Sequence, residues 1–444
     1  MSEADNSKSG AGAPWTRRKV LGAAAASTAA VALGAGLAAP AIAQGKKLTY
    51  WGGLIFSDDA NKLLTDTINE WGAKNGVQTE VVMINQNETT QKVSAAVASS
   101  SMPDALDVGL DLAILLARQG QFSTLDDLYK KIGDAQGGWY EGTDKATDTS
   151  AIAGGRVGIP FGVNGNLLLR RKDLLEPAGF KDPPKTWEEL AAQAAAVNKP
   201  PVYGLGLALS NVGDGNTQMS VLQSYGGRIA DDAGKKVTIK SDATKAYLSW
   251  VKDAWDKGLF PPGNTTWDGA GDNQAYLAGQ AAFIANTGSV GIAAKKDDPD
   301  LFNGSAFSAL PGGPKGVISP ITPQLRVVTK SSPMQDEAKA LLEYLSNPDF
   351  MNAYFNVAIY GPVLKAQEKL KAFDGSNTIL VGLLDLAKNG TAPAWPDVYN
   401  AAYADLSGNF IIPKMVQRVV IDGWDFDKAM DEAQTQGQAI YDKY

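Results

Sequence analysis

The chain has 444 residues, of which 44% are hydrophobic and 20% charged, enough apolar material for two core-forming domains. It contains no Cys and no His, which excludes disulfides, thiol nucleophiles, iron–sulfur clusters, Ser-His-Asp triads and HExxH zinc sites. The net charge of −7 divides into +2 over residues 1–43 and −9 over the rest, and a body that acidic lacks the Lys and Arg clusters that nucleic acid requires.

The N-terminal segment reads as an export signal. Trp15-Thr16-Arg17-Arg18-Lys19-Val20-Leu21 precedes an Ala-rich apolar run, Gly22 to Ala39. Ala41-x-Ala43 then fits a small-residue cleavage site. Thr16 to Leu21 resembles a twin-arginine signal, with Val20 where Phe is commonest. With no lipobox Cys, cleavage near Ala43 predicts a free periplasmic protein; beyond the signal no apolar stretch is long enough to span a bilayer.

The mature chain alternates strands and helices. Leu48 to Trp51 is a predicted strand ending at Gly52-Gly53, and Asp59 to Ala73 a helix with Leu63, Leu64, Thr67, Ile68 and Trp71 on one face. A strand over Val77 to Ile84, a helix over Glu88 to Ser99, a strand over Ala105 to Leu110 and a helix over Leu112 to Arg118 follow. This order predicts a doubly wound α/β sheet. Further on, Thr186-Trp187-Glu188-Glu189 is a capping box and makes Trp187 structural; Ser332-Pro333-Met334-Gln335 repeats the pattern ahead of Ala338, Leu341, Leu342 and Leu345. Two Gly- and Pro-bounded stretches suit interlobe crossovers: Gly158 to Gly165, and Pro311 to Gly316 with a strand over Val317 to Val328.

Several of these stretches, in order, resemble the family 1 extracellular solute-binding proteins of ABC importers, the maltose-binding-protein family. They include Asp107 with Leu112 to Gly120, Leu125-Asp126-Asp127-Leu128, Ile159-Pro160-Phe161-Gly162-Val163 and Arg171-Lys172-Asp173-Leu174-Leu175. Pro184-Lys185-Thr186-Trp187-Glu188-Glu189-Leu190, Leu277 to Ile284, Leu310 to Pro314, Ala338 to Pro348 and Tyr360-Gly361-Pro362-Val363 continue the series. The resemblance implies a two-lobed, type II-like periplasmic-binding-protein fold with the ligand cleft between lobes joined by hinges. It places lobe one at 45–160 and 325–372, and lobe two at 165–318 and 375–444, after a signal peptide at 1–43. It further implies a monomer that binds a carbohydrate or polyol, uses no cofactor or metal, and hands its solute to ABC permease subunits.

A sugar-binding cleft needs aromatic planes for C–H faces and polar side chains for hydroxyl edges. The candidates on lobe one are Trp51, Asn87 with its neighbours Gln86 and Glu88, and Asp111, which lies nine residues before Gly120 and also suits a helix N-cap. Asn164 matches a position where the maltose-binding protein carries an acid. Asp214 and Asn216 precede Tyr225-Gly226-Gly227; Trp267, Asp268 and Trp395 sit in Pro/Gly-rich loops. Thr287-Gly288-Ser289 ends a strand at a helix N-terminus, a setting that suits a hydroxyl and an anionic substituent better still. Arg326 offers a cation for an acidic sugar, or is a surface strand residue. Alternatives from other classes are an exported carbohydrate-active enzyme, with Asp111, Glu88 and Asp268 as carboxylates, and a sensory binding protein. No dinucleotide loop, P-loop or GxSxG is present: Gly204-Leu205-Gly206 lacks a third glycine and Thr287 replaces the first glycine of the last.

Overall fold

The computed structural model describes residues 47–53, 57–85 and 88–444; the signal segment, with Arg17, Arg18 and Ala43, lies outside them, as do Gln86 and Asn87. Residues 45–444 form one compact unit. Its strands, in chain order, are β1 (Lys47–Gly52), β2 (Gln78–Met83), β3 (Ala105–Gly109), β4 (Gly158–Gly165), β5 (Leu167–Arg171), β6 (Tyr203–Leu205), β7 (Ala281–Asn286), β8 (Ser305–Ser308), β9 (Gly312–Gly313), β10 (Gly316–Val317) and β11 (Ile321–Val328). Among the described residues no helix is long and apolar enough to cross a membrane.

Two sheets define two lobes. The first has the order β2-β1-β3-β11-β4, with β1 parallel to β2 and β3, and β11 antiparallel to β3 and β4. The second runs β6-β7-β5-β8, with β6 parallel to β7 and β5 antiparallel to β7 and β8. The helices that cover them form for local reasons. Helix 58–75 starts where the Ser57 hydroxyl accepts the Ala60 N–H, and it buries Leu64, Ile68 and Trp71 at helical spacing. Helix 187–197 starts at Thr186, whose side chain accepts the Glu189 N–H; the Glu189 carboxylate reaches back to the Lys185 N–H, one residue earlier than a capping box requires. Trp187 is fully buried, as expected of a structural residue.

Three expectations need correction. Gly158 to Gly165 is not a loose crossing: it pairs along its length with β11 and buries Ile159, Phe161 and Val163. Its Gly162 is glycine because a Cβ there would sit 2.7 Å from the Tyr360 ring. The chain changes sheets at Asn166, the single residue between β4 and β5. Ser332 does not cap the helix that follows, which begins at Gln335 behind Met334; its hydroxyl instead accepts the Met334 N–H and donates to Asp104. The return path runs from β8 through the β9–β10 hairpin to β11, which starts at Ile321 rather than at Val317 because Gly316 and Val317 turn back on Gly312 and Gly313.

Between the sheets lies helix 378–389, started by Asn377, whose side chain accepts the Ile379 N–H. It packs against β4 of the first sheet and against β5 and β8 of the second. Its Leu383 and Leu386 are buried in the hydrophobic core that also holds Val163 and Leu167. This helix and Asn166 therefore form a spine that both lobes share.

Candidate functional site

Ligands in open α/β sheets bind beyond the carboxyl ends of parallel strands, where loops carry free polar groups. On lobe one these ends are Gly52-Gly53 after β1, Ile84-Asn85 after β2 and Asp111 after β3. Gly53 has φ +104°, and a Cβ on it would lie 2.4 Å from the Ile84 carbonyl oxygen, so the floor admits no side chain there. Asp111 sits in the first turn of helix 110–118, whose N-cap is Gly109; it is a first-turn acid and not the cap.

Asp111 makes a contact that no local pattern announces. Its Oδ1 accepts a hydrogen bond of 2.8 Å from the Tyr399 hydroxyl, 288 residues away. Tyr399 belongs to lobe two, where its ring meets Tyr403 edge-on at 6.2 Å. Burial, and then the Asp111 carboxylate, raise the Tyr399 phenol well above its ordinary range, so it stays a donor. One hydrogen bond thus spans the gap between lobes.

The lobe-two wall gathers around Asn166. Its Nδ2 donates 3.1 Å to the Thr217 hydroxyl, at the start of helix 217–224. The preceding turn, 213–216, carries Asp214 and Asn216. Asn286 ends β7 opposite Leu167, and its Nδ2 donates 2.9 Å to Asp272 Oδ2. Asp272 is 2% exposed, and its Oδ1 takes the Asn273 N–H. Burial raises its carboxyl above the usual range. Asp214 is pushed up to about 6, first by partial burial and then by the charge of Asp272. Thr287 and Ser289 are exposed at the start of helix 289–297, with their hydroxyls 2.7 Å apart, and Gly288 faces Ile379 of the shared helix.

The third part is the loop 391–400. Trp395 is 48% exposed and borders a cavity of about 330 Å³ with Glu141 and Lys145 of lobe one, Lys388 of the spine, and Gly390 and Thr391 just past its end. Lys145 Nζ stands 5.3 Å from the Trp395 ring centre. The loop is fixed by Asp397, whose buried carboxylate accepts from Arg228 Nε (3.0 Å), Gln223 Nε2 (2.9 Å) and the N–H groups of Ile229 and Ala230.

The predicted residues therefore divide. Asp111, Asn164, Thr287, Gly288, Ser289 and Trp395 lie just past strand ends, at the crossover or at the interlobe cavity, while Asp214 and Asn216 lie in the turn 213–216 ahead of helix 217–224. Asn164 faces Thr322 across the β4–β11 pair. Asn216 Nδ2 bonds the Ser407 carbonyl, leaving a buried Oδ1 without a partner. Trp51 borders a small cavity of about 250 Å³ with Val82, Lys92 and Ala95, all of lobe one. Trp267 and Asp268 border a cavity of about 840 Å³ with Pro200, Tyr203, Pro261 and Gln274, all on the lobe-two side. Glu88 is exposed and paired with Lys92 at 2.9 Å. Arg326 is neither a ligand cation nor a surface residue: it is fully buried beside Asp107, at 3.6 Å. The sequence reading did not single out Tyr399, Asn286 or Asp272. Only Tyr399 had a usable signal, an aromatic residue three positions past the Trp395-Pro396 pair.

A family model described as bacterial extracellular solute-binding protein matches residues 66–374. A Brucella abortus binding protein is 23% identical over 363 residues, 80% of this chain and 83% of the relative. The diacetylchitobiose binding protein DasA of Streptomyces coelicolor is 21% identical over 316 residues, 67% of this chain and 69% of the relative. Among solved structures, the sugar-binding protein MalE of Xanthomonas citri superposes with a TM-score of 0.72 at 20% identity, covering 90% of this chain and 98% of that one.

Proposed function

Because the chain belongs to the bacterial extracellular solute-binding protein family, we propose that it captures a carbohydrate or carbohydrate-like polyol between its lobes and delivers it to the membrane subunits of an ABC importer. The observation that carries this reading is the convergence of strand ends from both sheets on one spine, bridged by the Asp111–Tyr399 hydrogen bond. Amide, hydroxyl and carboxylate groups supply hydroxyl partners, and the half-exposed Trp395 supplies a face for sugar C–H groups. That the proteins named above include a diacetylchitobiose binding protein and a sugar-binding protein supports the same class. Export through the segment at Arg17-Arg18, release near Ala43 into the periplasm, and a monomeric state complete the proposal.

Catalysis is the weaker reading. A glycoside hydrolase needs two available carboxyl groups. Asp214 feels the charge of Asp272, but both Asp272 oxygens are already engaged, by Asn286 and the Asn273 N–H.

A thermal-shift and calorimetric screen of the purified protein tests the proposal against saccharides, polyols, amino acids and phosphate esters. A saccharide or polyol at 100 times its Kd is expected to add about 2.7 kcal/mol of stability, with no product formed. Stabilisation by amino acids alone, or conversion of the bound sugar, would overturn it. Within that screen, Tyr399→Phe removes only the donor that reaches Asp111. It is expected to weaken the best ligand by three- to tenfold, about 0.6–1.4 kcal/mol, and to enlarge the liganded particle in small-angle scattering.

A further inference from the structure

Trp267 and Asp268 stand apart from the interlobe site: the cavity of about 840 Å³ that they border has no lobe-one residue in its lining. That volume falls within the range of small-molecule sites, about 300–1,000 Å³. Its position separates it from the cleft. Tyr203 opens β6, Gln280 directly precedes β7, and both border the cavity. The cleft lies beyond the other end of β7, at Asn286, about 20 Å further along the strand. From Trp267, ahead of helix 271–277, the cavity follows that helix to Gln280 past its end, a run of about 10 Å that matches two linked pyranose rings.

The walls are held in place. The Trp267 ring, half-buried against the hydrophobic core, lies so close to the helix start that a Cβ on Gly271 would be 2.3 Å from its Cγ. The turn 261–266 is tied down by Asn264, fully buried, whose Nδ2 donates 3.0 Å to the Leu207 carbonyl, and by Gln417 Nε2, which donates 3.1 Å to the Thr265 carbonyl. A fixed aromatic plane and fixed proline rings need no ordering when a ligand arrives. The polar groups, in contrast, are free. The amides of Gln274 and Gln280 and the Tyr203 hydroxyl have no hydrogen-bond partner among the described residues, and Asp268 spends only Oδ1, on the Ala270 N–H at 3.0 Å. Asp268 is also the single charged residue among the described residues that border the cavity, so an anionic ligand finds no cation there. Amides, a hydroxyl and a carboxylate both give and take hydrogen bonds, as sugar hydroxyls require, and the indole offers a plane for C–H groups. A polyproline segment, which also favours aromatic grooves, has no N–H to offer and would leave those acceptors unmatched.

We propose that this cavity is a second saccharide site, outside the cleft and on lobe two alone, in which a neutral disaccharide lies along helix 271–277 with one ring on Trp267 and hydroxyls on Gln274 and Gln280. It shares its ligand class with the cleft reading but rests on its own lining groups. Only one lobe contributes, so a bound sugar keeps one face in water and its Kd is on the order of 1 mM. The cleft, which desolvates its solute between two lobes, binds more tightly.

The experiment is an NMR titration of the 15N-labelled protein with maltose, cellobiose and N,N′-diacetylchitobiose, and separately with a decaproline peptide. It reads the Trp267 indole N–H signal, assigned by its loss in Trp267→Phe, with calorimetry following the tight event in parallel. At least one of the three sugars is expected to move that signal saturably in the millimolar range. Gln274→Ala, a change on an exposed helix position, is expected to weaken this weak event by three- to tenfold, about 0.6–1.4 kcal/mol, and to leave the tight event as it was. Tyr399→Phe is expected to do the reverse. A Trp267 signal that none of the sugars moves, that only decaproline moves, that follows the tight event and its response to Tyr399→Phe, or that is indifferent to Gln274→Ala would each overturn the inference and leave the cleft reading standing. A saturable Trp267 shift without any tight event would support this site and count against the cleft instead.

Discussion

Replacing Arg326 with leucine should destabilise the protein by about 3–5 kcal/mol at neutral pH, the largest effect expected of any single substitution here. Arg326 occupies the middle of β11, between β3 and β4, directly across from Asp107. Its Nε is 3.6 Å from Asp107 Oδ1, its Nη1 donates 3.0 Å to the Leu345 carbonyl, and its guanidinium lies 4.3 Å from the Phe161 ring centre. Tyr50 donates a hydrogen bond to the same Asp107 oxygen. Loss of the guanidinium leaves a carboxylate buried in the core of lobe one with only Tyr50 to stabilise it.

The cost should depend on pH, and its sign follows from Asp107. Burial pushes the Asp107 carboxyl up to about 6, against the opposing pull of Arg326 and Tyr50. A carboxyl whose folded pKa is raised binds its proton more readily in the folded state, so this group favours folding at low pH and loses that contribution as pH rises from about 4 to 6. In Arg326→Leu the pull of Arg326 is gone and the folded pKa rises further. At pH 5 the orphaned carboxyl is then neutral and the loss is small; at pH 8 the fold must either bury a charge or hold a proton against the solution. Urea unfolding of both proteins at pH 5 and pH 8 checks this: a deficit larger at pH 5, or absent at both, would show that the pair contributes little. The double change Arg326→Leu with Asp107→Leu should recover much of the loss, because a well-packed apolar pair can replace a buried ion pair.

Arg326 also shows where reading the sequence reached its limit. Local features were legible because their causes are local: Thr186 starts its helix as expected, and the alternation of strand and helix over residues 48–118 corresponds to β1, β2 and β3 of the first sheet. An arginine within Leu325-Arg326-Val327-Val328 reads as the solvent-facing member of a half-exposed strand. The register shift between Gln324 and Leu325 and the cover on both faces of the sheet bury it instead. Its partner lies 219 residues earlier in the chain, and no periodicity links the two. Tyr399 and Asp111 repeat the case at the cleft, 288 residues apart. Trp267 and Trp395 looked alike as aromatic residues among Pro and Gly, and only the tertiary arrangement places Trp395 between lobes and Trp267 over a cavity of lobe two.

Asp397→Ala should lower both stability and affinity although Asp397 has no exposed surface to offer a ligand. Its side chain is fully buried and accepts from Arg228, Gln223 and two consecutive backbone N–H groups. Removal strands those donors; because Arg228 is 28% exposed and can turn towards water, the expected cost is about 2–4 kcal/mol rather than that of a wholly buried pair. The same carboxylate holds the loop between Ala394 and Asn400, since Gln223 also donates 3.1 Å to the Ala394 carbonyl. Two residues on either side of it stand the groups that meet lobe one: Trp395 at the interlobe cavity and Tyr399 against Asp111. Releasing the anchor therefore disperses the aromatic plane and the cross-cleft donor together, and affinity should fall by more than tenfold, about 1.4 kcal/mol, beyond what Tyr399→Phe alone removes. Asp397→Asn keeps the shape but turns an NH2 group towards Arg228 and backbone N–H donors, so it should recover little. Melting and calorimetry on the three variants separate the possibilities. A destabilised Asp397→Ala with wild-type affinity would mean that the loop serves folding alone, and that neither Trp395 nor Tyr399 contributes to holding the solute.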